Sequence, residues 1–310
     1  MRIGIDAMGG DFAPLEAVKG CIAAKEMFPH ITPVLFGQQD KILESFQQLG
    51  VSDSLFEIVH APEVIEMGEH ATKAISHKKG SSINIAYKHL TEKNIEALIG
   101  AGNTGAMLVG SLFSVKAIEG VQRPTITSIL PKLDGGFGVL LDVGANADCK
   151  PEVLNQFAIL GSLYAHYVYG IENPKVALLS IGEEKEKGNI LNQAAYPQLE
   201  MNDRINFVGN VEGRDLFNNK ADVIVCDGFT GNIVLKLCED FYYTFSKLGV
   251  NNDYLNRFNF RNYGGSAILG VNEPVIIGHG ISKEDSFCNM FKLAIDVVNS
   301  KLIEKIKQSF

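Results

Sequence analysis

Short apolar runs, each ending in a polar, glycine-containing turn and followed by a helix-period segment, recur along almost all of the 310 residues. Such a strand–helix–strand alternation closes its backbone hydrogen bonds and buries its apolar faces when the strands line up in parallel with helices packed across them. The alternation therefore predicts βαβ units and a parallel sheet. Ligands of open α/β sheets bind beyond the carboxyl ends of the strands, so the turns become the candidate site.

Taken in order, residues 2–6 are read as a strand running into the turn Asp6-Ala-Met-Gly-Gly-Asp11, with Pro14 placed to start a helix reaching about residue 28. Strands at 33–36 and 56–59 flank a helix around 40–49, and Ser81 and Ser82 are read as the cap of a helix reaching Leu90. The basic cluster at 73–79 is read as a solvated helix face or, alternatively, as ligand-facing. At 97–107 a strand meets Gly100, Gly102 and Gly105 in the GxGxxG spacing of a dinucleotide turn. That fingerprint belongs to a first βα turn and needs an acid closing the next strand. Here it is mid-chain, the strand at 125–130 is followed by no acid before Asp134, and Asn103 and Thr104 add side-chain donors. The turn is read as an anion-binding turn, with a nicotinamide-dependent dehydrogenase as the competing class.

A strand at 139–142 leads to Asp142, Asn146, Asp148 and Lys150, then a helix over 151–169. The strand at 175–180 precedes the charged turn 182–188, which contains Lys187, and the strand at 205–208 precedes the turn 209–214. The stretch Val223-Ile-Val225, followed by Asp227-Gly-Phe-Thr-Gly-Asn232, reads as strand, turn and the start of a helix near Thr230. Gly228 and Gly231 permit a sharp, close turn, and Thr230, Asn232 and Lys236 are placed near the first helix amides, which favour an anion. A plain corner with a capping Thr230 is the alternative. A strand at 274–277 leads into Gly278-His-Gly-Ile-Ser282, where His279 alone of seven histidines occupies such a turn, and one helix is expected over 283–307. The turns at 6–11, 100–105, 142–150, 182–188, 209–214, 227–232 and 278–282 are expected to converge on one cleft.

The expected class is α/β, a Rossmann-like layered sheet with helices on both faces. It is read as a single unit over 1–310, with an aromatic-rich helical hairpin at 237–263. Residues 241–263 hold eight Phe or Tyr with Lys247, Arg257 and Arg261 among them. A dimer interface, a docking face for a carrier protein or membrane, and plain core all fit that composition. No apolar run approaches the roughly 18 residues of a membrane span, and the start is strand-like rather than a signal core, so a cytoplasmic protein is expected. Five cysteines without a CxxC pair read as apolar filler in a reducing compartment, and a net charge of −8 argues against nucleic acid as partner.

The turns supply Gly, Asn, Thr, Asp and Lys, a stock suited to holding phosphate and stabilising an oxyanion. GxSxG, HExxH and GxxxxGK[ST] are absent, so the nucleophile is read as part of a substrate, for which inorganic phosphate serves.

The motifs Asp6-Ala-Met-Gly-Gly-Asp11, Ala101-Gly-Asn-Thr-Gly-Ala106, Leu141-Asp-Val-Gly-Ala-Asn146, Gly182-Glu-Glu with Lys187-Gly188, Asp227-Gly-Phe-Thr-Gly-Asn232, Tyr263-Gly-Gly265 and Gly278-His-Gly280 stand in one order along the chain. Together they resemble the bacterial phosphate acyltransferases of phospholipid synthesis. Gly100, where that family often has Ser, and Ser266-Ala267, where Ala-Pro is usual, depart from the pattern without removing a charge. The resemblance implies transfer of a fatty acyl group from acyl-acyl carrier protein to inorganic phosphate, with an acyl-CoA-dependent phosphotransacylase as the near alternative and a non-catalytic sensor of lipid metabolites as the distant one. It further implies an isocitrate-dehydrogenase-like or phosphotransacetylase-like fold, a homodimer, no metal or cofactor, and peripheral association at the inner face of the membrane. The membrane glycerol-3-phosphate acyltransferase that uses acyl phosphate is then a further partner. With it, Lys187 and Asn232 are expected to be catalytic. Asp6, Gly102, Asn103, Thr104, Gly105, Asp142, Asn146, Gly228, Thr230, Gly231, Lys236 and His279 are expected to bind phosphate or substrate, with Asp6, Asp142 and Asp227 orienting donors. The phosphate seat is left between Asn103–Gly105 and Thr230–Asn232.

Overall fold

A computed structural model describes residues 1–310. The strands are β1 (Arg2–Asp6), β2 (Thr32–Gly37), β3 (Glu57–His60), β4 (Ala97–Gly100), β5 (Thr125–Pro131), β6 (Phe137–Leu141), β7 (Lys175–Leu179), β8 (Asn206–Val211), β9 (Val223–Val225), β10 (Ser266–Leu269) and β11 (Val275–Ile277). The helices are α1 (Leu15–Met27), α2 (Gln39–Leu49), α3 (Ala71–His77), α4 (Ser82–Thr91), α5 (Thr104–Ser114), α6 (Pro151–Tyr167), α7 (Ile190–Glu200), α8 (Gly228–Lys247), α9 (Asp253–Asn256), α10 (Glu284–Asn299) and α11 (Leu302–Ser309). Backbone contacts group the chain into two compact units, residues 1–117 with 260–299, and residues 118–259 with 300–310.

In the first unit the strands run β3-β2-β1-β4-β11-β10, parallel except for β10, which pairs antiparallel with β11. Ile3, Ile5, Leu98 and Ile99 are fully buried, so successive residues that point to opposite faces are both covered, as an internal parallel sheet requires. Helix α4 packs on β1 and β2, and α10 on β4 and β11. Ser81 caps α4 by accepting the Asn84 amide at 3.3 Å, as its position predicts.

In the second unit the order is β5-β6-β9-β7-β8, parallel except for the β5–β6 hairpin. Here α6 lies across β6, β7 and β9, with Phe157, Leu160 and Tyr164 buried beneath it. The hairpin is anchored by Lys132, whose ammonium meets Asp222 at 2.6 Å with the two side chains 7% and 15% exposed.

Several sequence expectations are corrected. The final helix breaks in two, because Lys301 takes a left-handed φ of 54° between α10 and α11. Helix α7 was not foreseen, since Pro197 interrupts its pattern; burial of Ala195, Tyr196 and Leu199 holds it together. Strand β10 was also missed, being a four-residue run recognisable only through its pairing with β11. In the aromatic segment α8 is 20 residues long, but the return helix spans only Asp253–Asn256. From this helix on the chain packs back on the second unit: Tyr254 donates to the Pro131 carbonyl of β5, and Phe258 stacks edge-on with Phe217 in the segment after β8. Arg257, which a docking face would present outward, donates to the carbonyls of Lys132 and Gly136.

Candidate active site

Parallel pairing sets the turns of neighbouring strands side by side, and each unit gathers its own set. In the first unit the turns after β1, β4 and β11 meet. Gly278 donates its amide to the Gly100 carbonyl and Asp11 donates to that of Gly280, both at 2.8 Å. Asp6 is 1% exposed beneath them, and a methyl added to Gly102 would stand 3.0 Å from its Oδ2. Burial raises the Asp6 pKa to about 6, against the opposing bonds from Ser82 and the Met8 amide. Asn103 is the N-cap of α5: Oδ1 accepts the Ala106 amide at 2.9 Å, while Nδ2 donates to the carbonyls of Glu66, Met67 and Glu69. Its side chain is therefore spent inside the protein. The amides of Thr104 and Gly105 lie in the first turn of α5, where the helix supplies no acceptor. Thr104 is exposed there. His279 lies half-buried with its ring 4.5 Å from that of Phe260.

In the second unit Asp142 is fully buried at the end of β6. Oδ1 accepts from the Ile126 and Ala145 amides and the Thr125 hydroxyl, and Oδ2 from the Asn146 amide and Nδ2. Desolvation raises its pKa, and those bonds pull the other way. Asn146 also donates Nδ2 to the Pro124 carbonyl at 2.8 Å, so its amide, like the Asp142 carboxylate, is used to shape the turn. Helix α8 then docks at very short range. Gly228 donates to the Asn146 carbonyl at 2.7 Å, and a methyl on Gly231 would sit 1.9 Å from the Asp142 carbonyl oxygen. Only glycine allows that approach.

The cap of α8 is Asp227, not Thr230. Its Oδ1 accepts the Thr230 amide at 2.8 Å and its Oδ2 the Thr230 hydroxyl at 2.9 Å, while its carbonyl takes the Gly231 amide. A carboxylate at the N-cap outcompetes an outside anion for those donors. The amides of Thr230 and Gly231 are thus closed, whereas those of Thr104 and Gly105 are not. Lys236 is also corrected. Helix α8 starts at Gly228, which puts Lys236 about 12 Å farther along the axis at 1.5 Å per residue, where it pairs with Glu239.

Asn232 is exposed, with Oδ1 3.5 Å from the point a methyl on Gly144 would occupy. Its side-chain amide makes no hydrogen bond within the chain. In the turn after β7, Lys185 pairs with Glu200, and Glu183 with Lys220 and Arg214. Lys187 is left without a carboxylate partner, its stem lying over Gly182. An open cleft of about 550 Å³ lies beside these turns, lined by Asp148, Cys149, Asn189, Asp227, Phe229 and Thr230 among others. Neither Lys187 nor Asn232 lines it. Cys149 and Asn189 carried no sequence signal as site residues, although Asn189-x-x-Asn192 is a capping spacing: Asn189 Oδ1 accepts the Asn192 amide at 2.9 Å. Burial, with Asp142 and Asp227 nearby, pushes the Cys149 thiol up to about 12, so the cleft presents no thiolate near neutral pH.

A family model described as "Fatty acid synthesis protein" matches residues 1–251. The phosphate acyltransferase of Dictyoglomus turgidum is 41% identical, covering 99% of this chain and 96% of its own length. That of Desulfitobacterium hafniense is 44% identical, covering 99% and 97%. Among solved structures, a phosphotransacetylase from Streptococcus pyogenes superposes with a TM-score of 0.68 at 17% identity, over 98% of this chain and 94% of the other, so the two share a fold. The ordered post-strand motifs, the layered α/β fold and full-length identity above 40% together place the chain in the phosphate acyltransferase family.

Proposed function

We propose that this protein transfers a fatty acyl group from acyl-acyl carrier protein to inorganic phosphate, reversibly, giving acyl phosphate for phospholipid synthesis. The observation that carries this reading is two available groups, a Lys187 ammonium with no carboxylate partner and an Asn232 amide with no bond in the chain, on post-strand turns of the unit in which Asp142 and Asp227 are bonded to backbone amides. Such a set holds anions and supplies no nucleophile of its own. The amides of Thr104 and Gly105, in the first unit, are also open to an anion.

A phosphate oxygen attacks the thioester carbonyl carbon. The carbonyl electrons move onto oxygen, the Asn232 amide donates to that oxyanion, and collapse breaks the carbon–sulfur bond. The thiolate departs and takes a proton from water, with Lys187 balancing the negative charge of phosphate or thiolate. Asp6, Asp142 and Asp227 act by aiming donors.

The exposed stripe Phe229, Ile233, Leu237, Phe241 and Phe245 on α8, at four-residue spacing and uncovered within the chain, supports a homodimer through this face. A peripheral place at the cytoplasmic membrane face, beside the glycerol-3-phosphate acyltransferase that uses acyl phosphate, belongs to the same proposal. No helix is long and apolar enough to cross a membrane.

The test is acyl phosphate formation from phosphate with acyl-acyl carrier protein, run beside acyl-CoA. Asn232→Ala is expected to lower turnover by about a hundredfold, the usual cost of losing one oxyanion donor, and Lys187→Ala by a similar factor through the lost charge balance. Near-normal rates in both would remove these residues from the mechanism. Turnover with acyl-CoA alone would favour the short-chain phosphotransacylase reading.

A further inference from the structure

Asn210, at the end of β8, is 6% exposed and reaches under the turn that contains Lys187. Its Nδ2 donates to the Glu184 carbonyl at 2.8 Å. That same carbonyl accepts the backbone amide of Lys187 at 3.1 Å. The two bonds form a short chain from the sheet to the residue assigned to charge balance.

Asn210 Oδ1 is buried without a donor, so one bond sets the orientation of the whole amide. Flipping it would face oxygen against oxygen. The other ties on the turn are weaker anchors. Glu183 is held by Lys220 and Arg214 in exposed ion pairs, which stabilise little. Gln193 donates to the Glu186 and Gly188 carbonyls from an exposed position. The turn closes at Gly188 with a left-handed φ of 102°. Asn192 ties the two ends of the path from β7 to α7 together by donating Nδ2 to the Leu179 carbonyl at 2.6 Å, and between those ends the buried side chain bonded to the turn is Asn210.

We propose that Asn210 is a positioning residue for the acyl transfer, fixing the Glu184 carbonyl and through it the backbone of Lys187. This rests on the reading of Lys187 given above. Asn210 touches neither reactant; it sets where the ammonium stands. Misplacing a charged group by about 1 Å costs up to a hundredfold in rate.

The experiment compares steady-state acyl phosphate formation in wild type, Asn210→Asp, Lys187→Ala and the double variant, each with a thermal melt. Asn210→Asp has nearly the same shape but sets an oxygen against the Glu184 carbonyl. It is expected to shift the parameter that Lys187→Ala shifts, KM for phosphate or kcat, by about tenfold or more. The double variant is expected to fall within about twofold of Lys187→Ala, since a pin has no effect once the group it holds is gone. If Asn210→Asp does not fold, Asn210→Ala removes the donor without adding a charge and is read in the same way. Normal kinetics in the Asn210 variant beside an impaired Lys187→Ala would overturn the positioning role alone, as would losses that multiply in the double variant. A normal Lys187→Ala would instead overturn the assignment of Lys187, and the role of Asn210 with it.

Discussion

Replacing Gly231 by alanine tests how α8 is seated. The added methyl would lie 1.9 Å from the Asp142 carbonyl oxygen and 3.0 Å from Cys226 Sγ. Ordinary contact begins near 3.5 Å, so the helix and the turn after β6 must part by roughly 1.5 Å. The obstructing atom is backbone, fixed by the β6–β9 pairing that joins Leu141 to Val225, and has no rotamer through which to move. Overpacking of this kind costs about 3 kcal/mol. Alanine returns about 1 kcal/mol through its better helix propensity, leaving a net loss of roughly 2 kcal/mol. The sign is therefore diagnostic. Urea denaturation should show a lower midpoint with an unchanged slope. Phosphate-dependent turnover should fall as well, because Asn232 is the next residue and moves with the helix. A variant as stable as wild type, or more stable, would mean that the helix start relaxes freely and that the close approach does not hold it.

Two further outcomes follow from buried charges. Asp6 has a folded pKa of about 6 against an ordinary value of 3.8. The folded state thus holds this proton more tightly, and stability falls as pH rises from about 4 through 6. Asp6→Asn keeps an acceptor for the Met8 amide, so its stability relative to wild type should climb by up to about 3 kcal/mol between pH 4 and 7. A difference that stays flat with pH would show that Asp6 is not desolvated. Lys132→Ala strands Asp222, which otherwise accepts the Lys132 ammonium at 2.6 Å and the Lys175 amide at 2.8 Å. Loss of one partner of a buried pair costs about 3–5 kcal/mol, to be measured by denaturation at pH 7. A loss below 1 kcal/mol, the range of exposed pairs, would show the site to be well hydrated.

Much of the architecture is legible in the residues. The Val223–Val225 strand, the turn at Asp227 and the helix beyond it were all foreseen, because a short β-branched run and two glycines act over a few residues. The same logic placed β1, β4 and β6 within a residue or two. It failed where distant contacts override a local signal. Pro197 sits inside α7 because Tyr196 and Leu199 are buried, and β10 exists because β11 pairs with it. The break at Lys301 has no glycine or proline to announce it.

At the site the division is sharper. Periodicity and turn chemistry are properties of neighbouring residues, so the strands, the glycine turns after them and their stock of Asn, Thr, Asp and Lys follow from the order of amino acids. Which of those groups stays available is settled by competition among donors and acceptors from far apart in the chain. Asp142 is closed by residues from 125 to 146, and Asn103 by carbonyls at 66–69. Asp227 takes the Thr230 and Gly231 amides, in one of the two seats expected for phosphate, and Lys236 turns to Glu239. Asn210 reaches the Glu184 carbonyl only because β8 lies beside β7. Hydrogen bonds are short-ranged and saturable, so strand pairing and helix docking determine which groups remain free for a ligand.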